Sequence, residues 1–125
     1  MYRPMNPISR PVNRHDAYHA HIYFDQNTRA KAWTLREQSA EQFDLTVGRF
    51  HEKPVGPHSC WSFQVVFNAA DFERYIPWLD KNRQGLTVLV HGLTGDHLKD
   101  HTDYAYWLGE PQVLDLSISG EDAIS

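Results

Sequence analysis

Residues 18–24 read Tyr-His-Ala-His-Ile-Tyr-Phe, and their alternation decides the architecture. His19, His21 and Tyr23 fall on one side of an extended chain; Ala20, Ile22 and Phe24 fall on the other. A period of two marks a strand with two unlike faces. Ile22 and Phe24 suit a face covered by helices, so His19 and His21 point to the opposite, open face. Residues 25–28 (Asp-Gln-Asn-Thr) break this strand. Thr28 is placed to cap a helix over about residues 29–42, with Trp33, Ala40 and Phe43 on one side.

A second strand is expected over residues 45–51, followed by a loop punctuated by Pro54, Gly56 and Pro57. Residues 61–67 (Trp-Ser-Phe-Gln-Val-Val-Phe) form the strongest strand signal, dense in aromatic and β-branched side chains. Asp71 can cap a helix that carries Phe72, Tyr75, Ile76 and Leu79; Pro77 should kink or shorten it, and Gly85 closes it. Residues 86–91 (Leu-Thr-Val-Leu-Val-His) make a fourth strand. Gly92 and Gly95 open a loop, and a short helical piece is expected over residues 104–108. The order βαββαβ is the split βαβ, ferredoxin-like α+β pattern: a four-stranded antiparallel sheet with both helices on one face. Strands one and three lie centrally, four flanks one, and two flanks three. The remaining face needs a cover, and a second copy in a homodimer is one answer.

The 125 residues fit one domain, read as residues 15–114 between an extended N-terminal tail, 1–14, and a C-terminal tail, 115–125. A net charge of −4 argues against nucleic acid as the main partner. No apolar run approaches the roughly 20 residues of a membrane span. Cys60 is the single cysteine, which fits a reducing cytoplasm and a packing role. The first residues lack a signal-peptide core, and Pro4, Pro7 and Pro11 oppose a transit helix.

Eight histidines stand out: His15, His19, His21, His51, His58, His91, His97 and His101. The topology is expected to bring the starts of strands one and three to the end where strands two and four finish. On that reading His19, His21, His51, His58 and His91 converge at one edge, with His21 and His91 as cross-strand neighbours. Imidazoles on one strand face are metal-ligand or acid–base material. The nearest carboxylates on this topology are Asp16 and Glu52. His15 and His97 read as surface residues, and Trp61, Phe63 and Phe67 as core. Residues 92–95 (Gly-Leu-Thr-Gly) lack the lysine and context of a phosphate loop, and no Gly-x-Ser-x-Gly occurs.

Several stretches together resemble the DOPA 4,5-dioxygenase family over about residues 17–114. They are residues 18–24, Gly48-Arg-Phe-His, Pro54-Val-Gly-Pro-His, Phe63-Gln-Val-Val-Phe, Trp78-Leu with Asn82-Arg and Gly85-Leu, Val88-Leu-Val-His, Thr94-Gly-Asp, Asp100-His-Thr and Trp107-Leu-Gly. Ser59 stands where the family usually has proline after the histidine, and His97 where it often has an acid. The resemblance implies a small ferredoxin-like extradiol dioxygenase that opens the ring of DOPA or a related catechol with O2. It implies non-haem Fe(II) as cofactor, with zinc as a possible substitute. His21, His58 and His91 are then expected as metal ligands, with His19 or His51 as alternatives in that set. His19, His51 and His101 are expected in orientation or proton transfer. Two other readings stay open: a non-catalytic dimeric binding module of the same fold, and a zinc-dependent hydrolase-type site.

Overall fold

The computed structural model describes residues 11–116; residues 1–10 and 117–125 of the two expected tails lie outside the described residues. Along the chain run β1 (Ala17–Phe24), α1 (Arg29–Phe43), β2 (Thr46–Val47), β3 (Trp61–Asn68), α2 (Ala69–Asn82), β4 (Val88–Gly92), α3 (His97–Asp100) and β5 (Ala105–Leu108). The sheet order is β2-β3-β1-β4-β5, and every neighbouring pair is antiparallel. This is the expected α+β, ferredoxin-like arrangement with a fifth strand added beside β4.

The alternation in β1 sorts the sheet into two faces. Tyr18, Ala20, Ile22 and Phe24 join Phe63, Val65, Phe67, Val88 and Val90 in the main core, against Ala32 and Leu35 of α1 and Phe72, Tyr75, Ile76 and Leu79 of α2. The other face carries His19, His21 and Tyr23. A smaller apolar cluster of Tyr23, Leu89, Ala105, Trp107 and Leu114 accompanies them.

Several local expectations are corrected. Residues 104–108 are not helical. Ala105–Leu108 pairs with β4 through His91↔Ala105 and Val88↔Leu108. All four of its residues are buried, so the Tyr-Trp-Leu run serves a two-sided strand. The polar loop around His97 holds a one-turn helix, started by the Asp96 side chain accepting from the Lys99 N–H. The second strand shrinks to two residues, after which His51 alone bridges Ser62. The fourth strand starts at Val88 rather than at Leu86.

In α1 Thr28 holds the cap position, but its hydroxyl bonds back to Asp25 and gives no side-chain cap. The buried face of α1 is Ala32, Leu35 and Ser39, while Trp33 is exposed and packs edge-on to Phe50. Ser39 tolerates burial because its hydroxyl pairs with the Leu35 carbonyl and the Tyr75 hydroxyl.

In α2 the cap is Asn68. Its side chain accepts from the Asp71 N–H, and the Asp71 carboxylate accepts from the Asn68 N–H in a reciprocal capping box. The helix runs through Pro77 without ending there. Pro77 and Glu73, the residue whose carbonyl loses a donor, both face solvent. Gln84 and Gly85 then turn the chain with positive φ, as expected of a glycine stop. Replacing Asn68 with alanine is expected to cost about 1 kcal/mol. The urea midpoint should fall at unchanged slope; an unmoved midpoint would deny the cap its role.

Residues at both expected boundaries make contacts with the sheet and loops. Tyr18 Oη accepts from the Arg14 and His15 N–H groups at 2.6 and 2.7 Å, and Asn13 Nδ2 donates to the Ala69 carbonyl. At the other end the Asp115 N–H donates to the Pro57 carbonyl, and Leu116 packs on the second apolar cluster. Residues 13–14 and 115–116 thus contact the expected domain. The open face, for which a second subunit was an expected cover, is covered in part by the chain's own residues around Pro57, His58 and Leu114. His58 and Leu114 form a bridge there and both are buried. Among the described residues no helix is long and apolar enough to cross a membrane.

Candidate metal centre

Strand register sets the histidines out in rows on the open face. His19 lies opposite Val66 on one side and His91 on the other; His91 lies opposite Ala105. In the next row His21 lies between Gln64 and Leu89, with Trp107 beyond. The direct cross-strand partner of His91 is thus His19, and His21 is its diagonal neighbour. The diagonal is nevertheless the closer contact: His21 Nε2 and His91 Nε2 stand 2.9 Å apart.

The expected convergence at one end of the sheet needs a correction. Strands β1 and β3 are antiparallel, so the start of β1 lies with the end of β3: Ala17 pairs with Asn68. By backbone, His51 and His58 belong to the far end. His51 stays there, bridged to Ser62, whose partner in β1 is Tyr23. Its ring contacts none of the other histidines among the described residues. His58 reaches the group by another route. Its loop folds back over the open face and sets its ring 4.0 Å from that of His21. His101 arrives from the end of α3, with its ring 4.4 Å from that of His91. The five rings gathered here are those of His19, His21, His58, His91 and His101.

Three of them can hold an ion. One ligand nitrogen each from His19, His21 and His91 lies within 4.8 Å of the others. Two imidazole nitrogens bound to one ion at about 2.0–2.1 Å stand roughly 3 Å apart, and the His21–His91 spacing already matches this. His91 Nδ1 donates to the Gly92 carbonyl at 2.9 Å, which leaves Nε2 with the lone pair a metal needs. His58, expected among the ligands, is outside this group; its Nδ1 is engaged at 2.7 Å by the Tyr23 hydroxyl. His15 and His97 are not part of the cluster. His15 packs on Tyr104 and Tyr18, so tightly against Gly92 that a Cβ there would lie 2.6 Å from its ring. His97 is exposed and supplies its carbonyl to His101 Nδ1.

Among the described residues no carboxylate joins the three nitrogens. Glu52 is exposed and paired with Arg29, and Asp16 is exposed. Asp100, quoted above in Asp100-His-Thr without a role, is buried beside His101; it accepts from the Thr94 hydroxyl at 2.6 Å and from the Thr94 N–H, and so holds the loop before α3. Tyr23 was legible as a member of the histidine face, but its hydroxyl partner, 35 residues away, was not. Gln64 Oε1, Trp107 Nε1 and His51 Nε2 are buried on the same face without a protein partner among the described residues. Buried polar atoms are as a rule paired, and these three depart from that rule.

Burial keeps the cluster neutral. It is the first cause lowering His19 to about 4, with His101 second, and His58 to about 3, again with His101 second. Burial and then neighbouring histidines hold His21 and His91 well below their ordinary range. His101 is lowered by burial and partly restored by its bond to the His97 carbonyl and by Asp100. Neutral imidazole is the form that ligates metal. The folded protein therefore binds protons less readily than the unfolded chain. Stability is complete above pH 6.5 and is lost as pH falls toward the folded values near 4 and 3. Each such histidine adds a slope of about 1.4 kcal/mol per pH unit in that window. Urea midpoints of metal-free protein should fall steadily from pH 6.5 to pH 5; a flat profile would contradict neutral burial.

The model of the Dopa 4,5-dioxygenase family matches residues 18–118. An uncharacterized 21.2 kDa protein of Botryotinia fuckeliana is 39% identical over 82% of this chain and 62% of its own length. A protein of Amanita muscaria named DOPA 4,5-dioxygenase is 32% identical over 80% of this chain and 48% of its own. The chain thus spans about half to two thirds of these relatives. A solved Nostoc punctiforme structure, named as a candidate dioxygenase, superposes with a TM-score of 0.80 at 41% identity, covering 82% of this chain and 90% of that one.

Proposed function

The chain belongs to the Dopa 4,5-dioxygenase family, and from that premise we propose that it is an extradiol dioxygenase, opening the ring of DOPA or a related catechol with O2 at a histidine-bound iron(II). The observation that carries the reading is the group of His19, His21 and His91, whose ligand nitrogens lie within 4.8 Å of one another on one sheet face, with His21 and His91 buried. The spacing supports these three as the iron ligands, with His19 in the place expected for His58.

Iron(II), when bound, would be held by His19, His21 and His91 and would supply the redox chemistry that couples O2 to the catechol. The protein's own part is positioning and proton handling. Leu89 and Trp107 supply an apolar wall beside His21, in register with it. Gln64 Oε1 and Trp107 Nε1 offer an acceptor and a donor to polar groups of the substrate. His101 gives its Nδ1 proton to the His97 carbonyl, so Nε2 is free to accept a proton from a catechol hydroxyl. His51, at the far edge, is left with substrate contact as its only share.

The test compares metal-free, iron(II)-loaded and zinc-loaded protein, each given DOPA anaerobically and then exposed to O2. The iron form alone is expected to consume the catechol. Equal turnover by the zinc form, or none by iron-replete protein, would overturn the proposal.

A further inference from the structure

We propose that His58 is a hydrogen-bond donor to a substrate oxygen and not a metal ligand, and that Tyr23 fixes this role by setting the tautomer of its ring. The substrate in this statement rests on the function proposed above; the tautomer does not.

Tyr23 and His58 are both buried, with the Tyr23 hydroxyl 2.7 Å from His58 Nδ1. That hydroxyl has no other protein partner among the described residues. If Nδ1 carried the hydrogen, the phenol would accept it and its own proton would be buried without an acceptor. If the phenol donates, nothing at that end is left unpaired. Donation requires a lone pair on Nδ1, and a neutral imidazole then carries its hydrogen on Nε2. A protonated Nε2 has no lone pair for an ion.

The contrast with His91 and His101 strengthens the assignment. In both of those, Nδ1 faces a backbone carbonyl, which can only accept. Their hydrogen sits on Nδ1 and their lone pair on Nε2. The partner of Nδ1 therefore separates His91 and His101, whose Nε2 holds the lone pair, from His58, whose Nε2 holds the hydrogen. His58 is also absent from the group of three nitrogens that lie within 4.8 Å of one another.

His58 Nε2 has no protein hydrogen-bond partner among the described residues, and the ring lies 4.0 Å from that of His21. The backbone holds it there: the His58 N–H donates to the Val55 carbonyl, and the Asp115 N–H donates to the Pro57 carbonyl. An N–H so fixed beside the ligand cluster suits an electron-rich oxygen such as that of a catecholate.

The test reads the tautomer directly. In long-range proton–nitrogen NMR spectra of metal-free and zinc-loaded protein, His58 should carry its hydrogen on Nε2, and Tyr23→Phe should shift it toward a mixture. His58→Ala and His58→Gln should keep one metal ion per chain, unlike His91→Ala. With iron(II), His58→Ala should lower kcat about 100-fold, and His58→Gln, which retains an N–H donor, should recover part of that loss. A hydrogen on Nδ1 in the wild type, or metal loss in His58→Ala to the extent seen in His91→Ala, overturns the proposal. The expected spectra and metal content without any catechol turnover would support the tautomer and overturn both the function and the donation to substrate.

Discussion

Replacing His91 with alanine is expected to abolish metal retention and O2-dependent catechol turnover while leaving the sheet intact. His91 is the ring on which the cluster closes. Its Nε2 stands 2.9 Å from that of His21, and its ring touches those of His19 and His101. Loss of an outer hydrogen-bond partner alone weakens a metal site about 10–100-fold, so loss of a ligand should exceed roughly 100-fold. The fold survives because β4 is held on both sides, by β1 and by β5, through backbone bonds that the side chain does not make. The vacated space and the unpartnered His21 nitrogen should cost about 1–3 kcal/mol. Metal analysis after dialysis, beside a far-ultraviolet circular dichroism spectrum, separates the two effects. A variant that keeps one ion per chain with wild-type affinity would remove His91 from the ligand set.

Phe63→Ala should produce the largest loss of stability, about 3–5 kcal/mol. Phe63 is fully buried on the central strand β3, pairs with Ile22 across the β1 register, and faces the helices. Its ring lies 6.0 Å from that of Phe50, which in turn stacks on Phe24. Truncation leaves a cavity among side chains fixed on a sheet, which cannot collapse freely. Against a typical total of about 5–15 kcal/mol, this approaches unfolding. Equilibrium urea denaturation measures it; a loss below about 1 kcal/mol would mean that the two layers repack.

The fold was legible wherever a strong period met a strong breaker. Alternation in residues 18–24 assigned each face of β1 correctly, and WSFQVVF and LTVLVH were strands as read, the second starting two residues later. Shorter pieces failed for identifiable reasons. Residues 105–108 are a strand buried on both sides, so they show no alternation to separate them from a helical turn. Ser39 hid the buried face of α1, because a serine reads as polar until its partner Tyr75 is known. The gathering of His19, His21, His58 and His91 was legible, but not its geometry. His19, His21 and His91 follow from strand faces. His58 joins them only through a loop that folds back, and His51 is separated from them by the antiparallel direction of β3. The bond between Tyr23 and His58 is a tertiary contact to which no local pattern points.

O2 consumption tests the central claim most directly. Protein loaded anaerobically with iron(II) and given DOPA should take up one O2 for each DOPA lost, and a new visible absorbance from a ring-opened product should rise in step. Protein that retains its iron yet consumes no O2 with DOPA or simple catechols would contradict a ring-cleaving centre built on His19, His21 and His91.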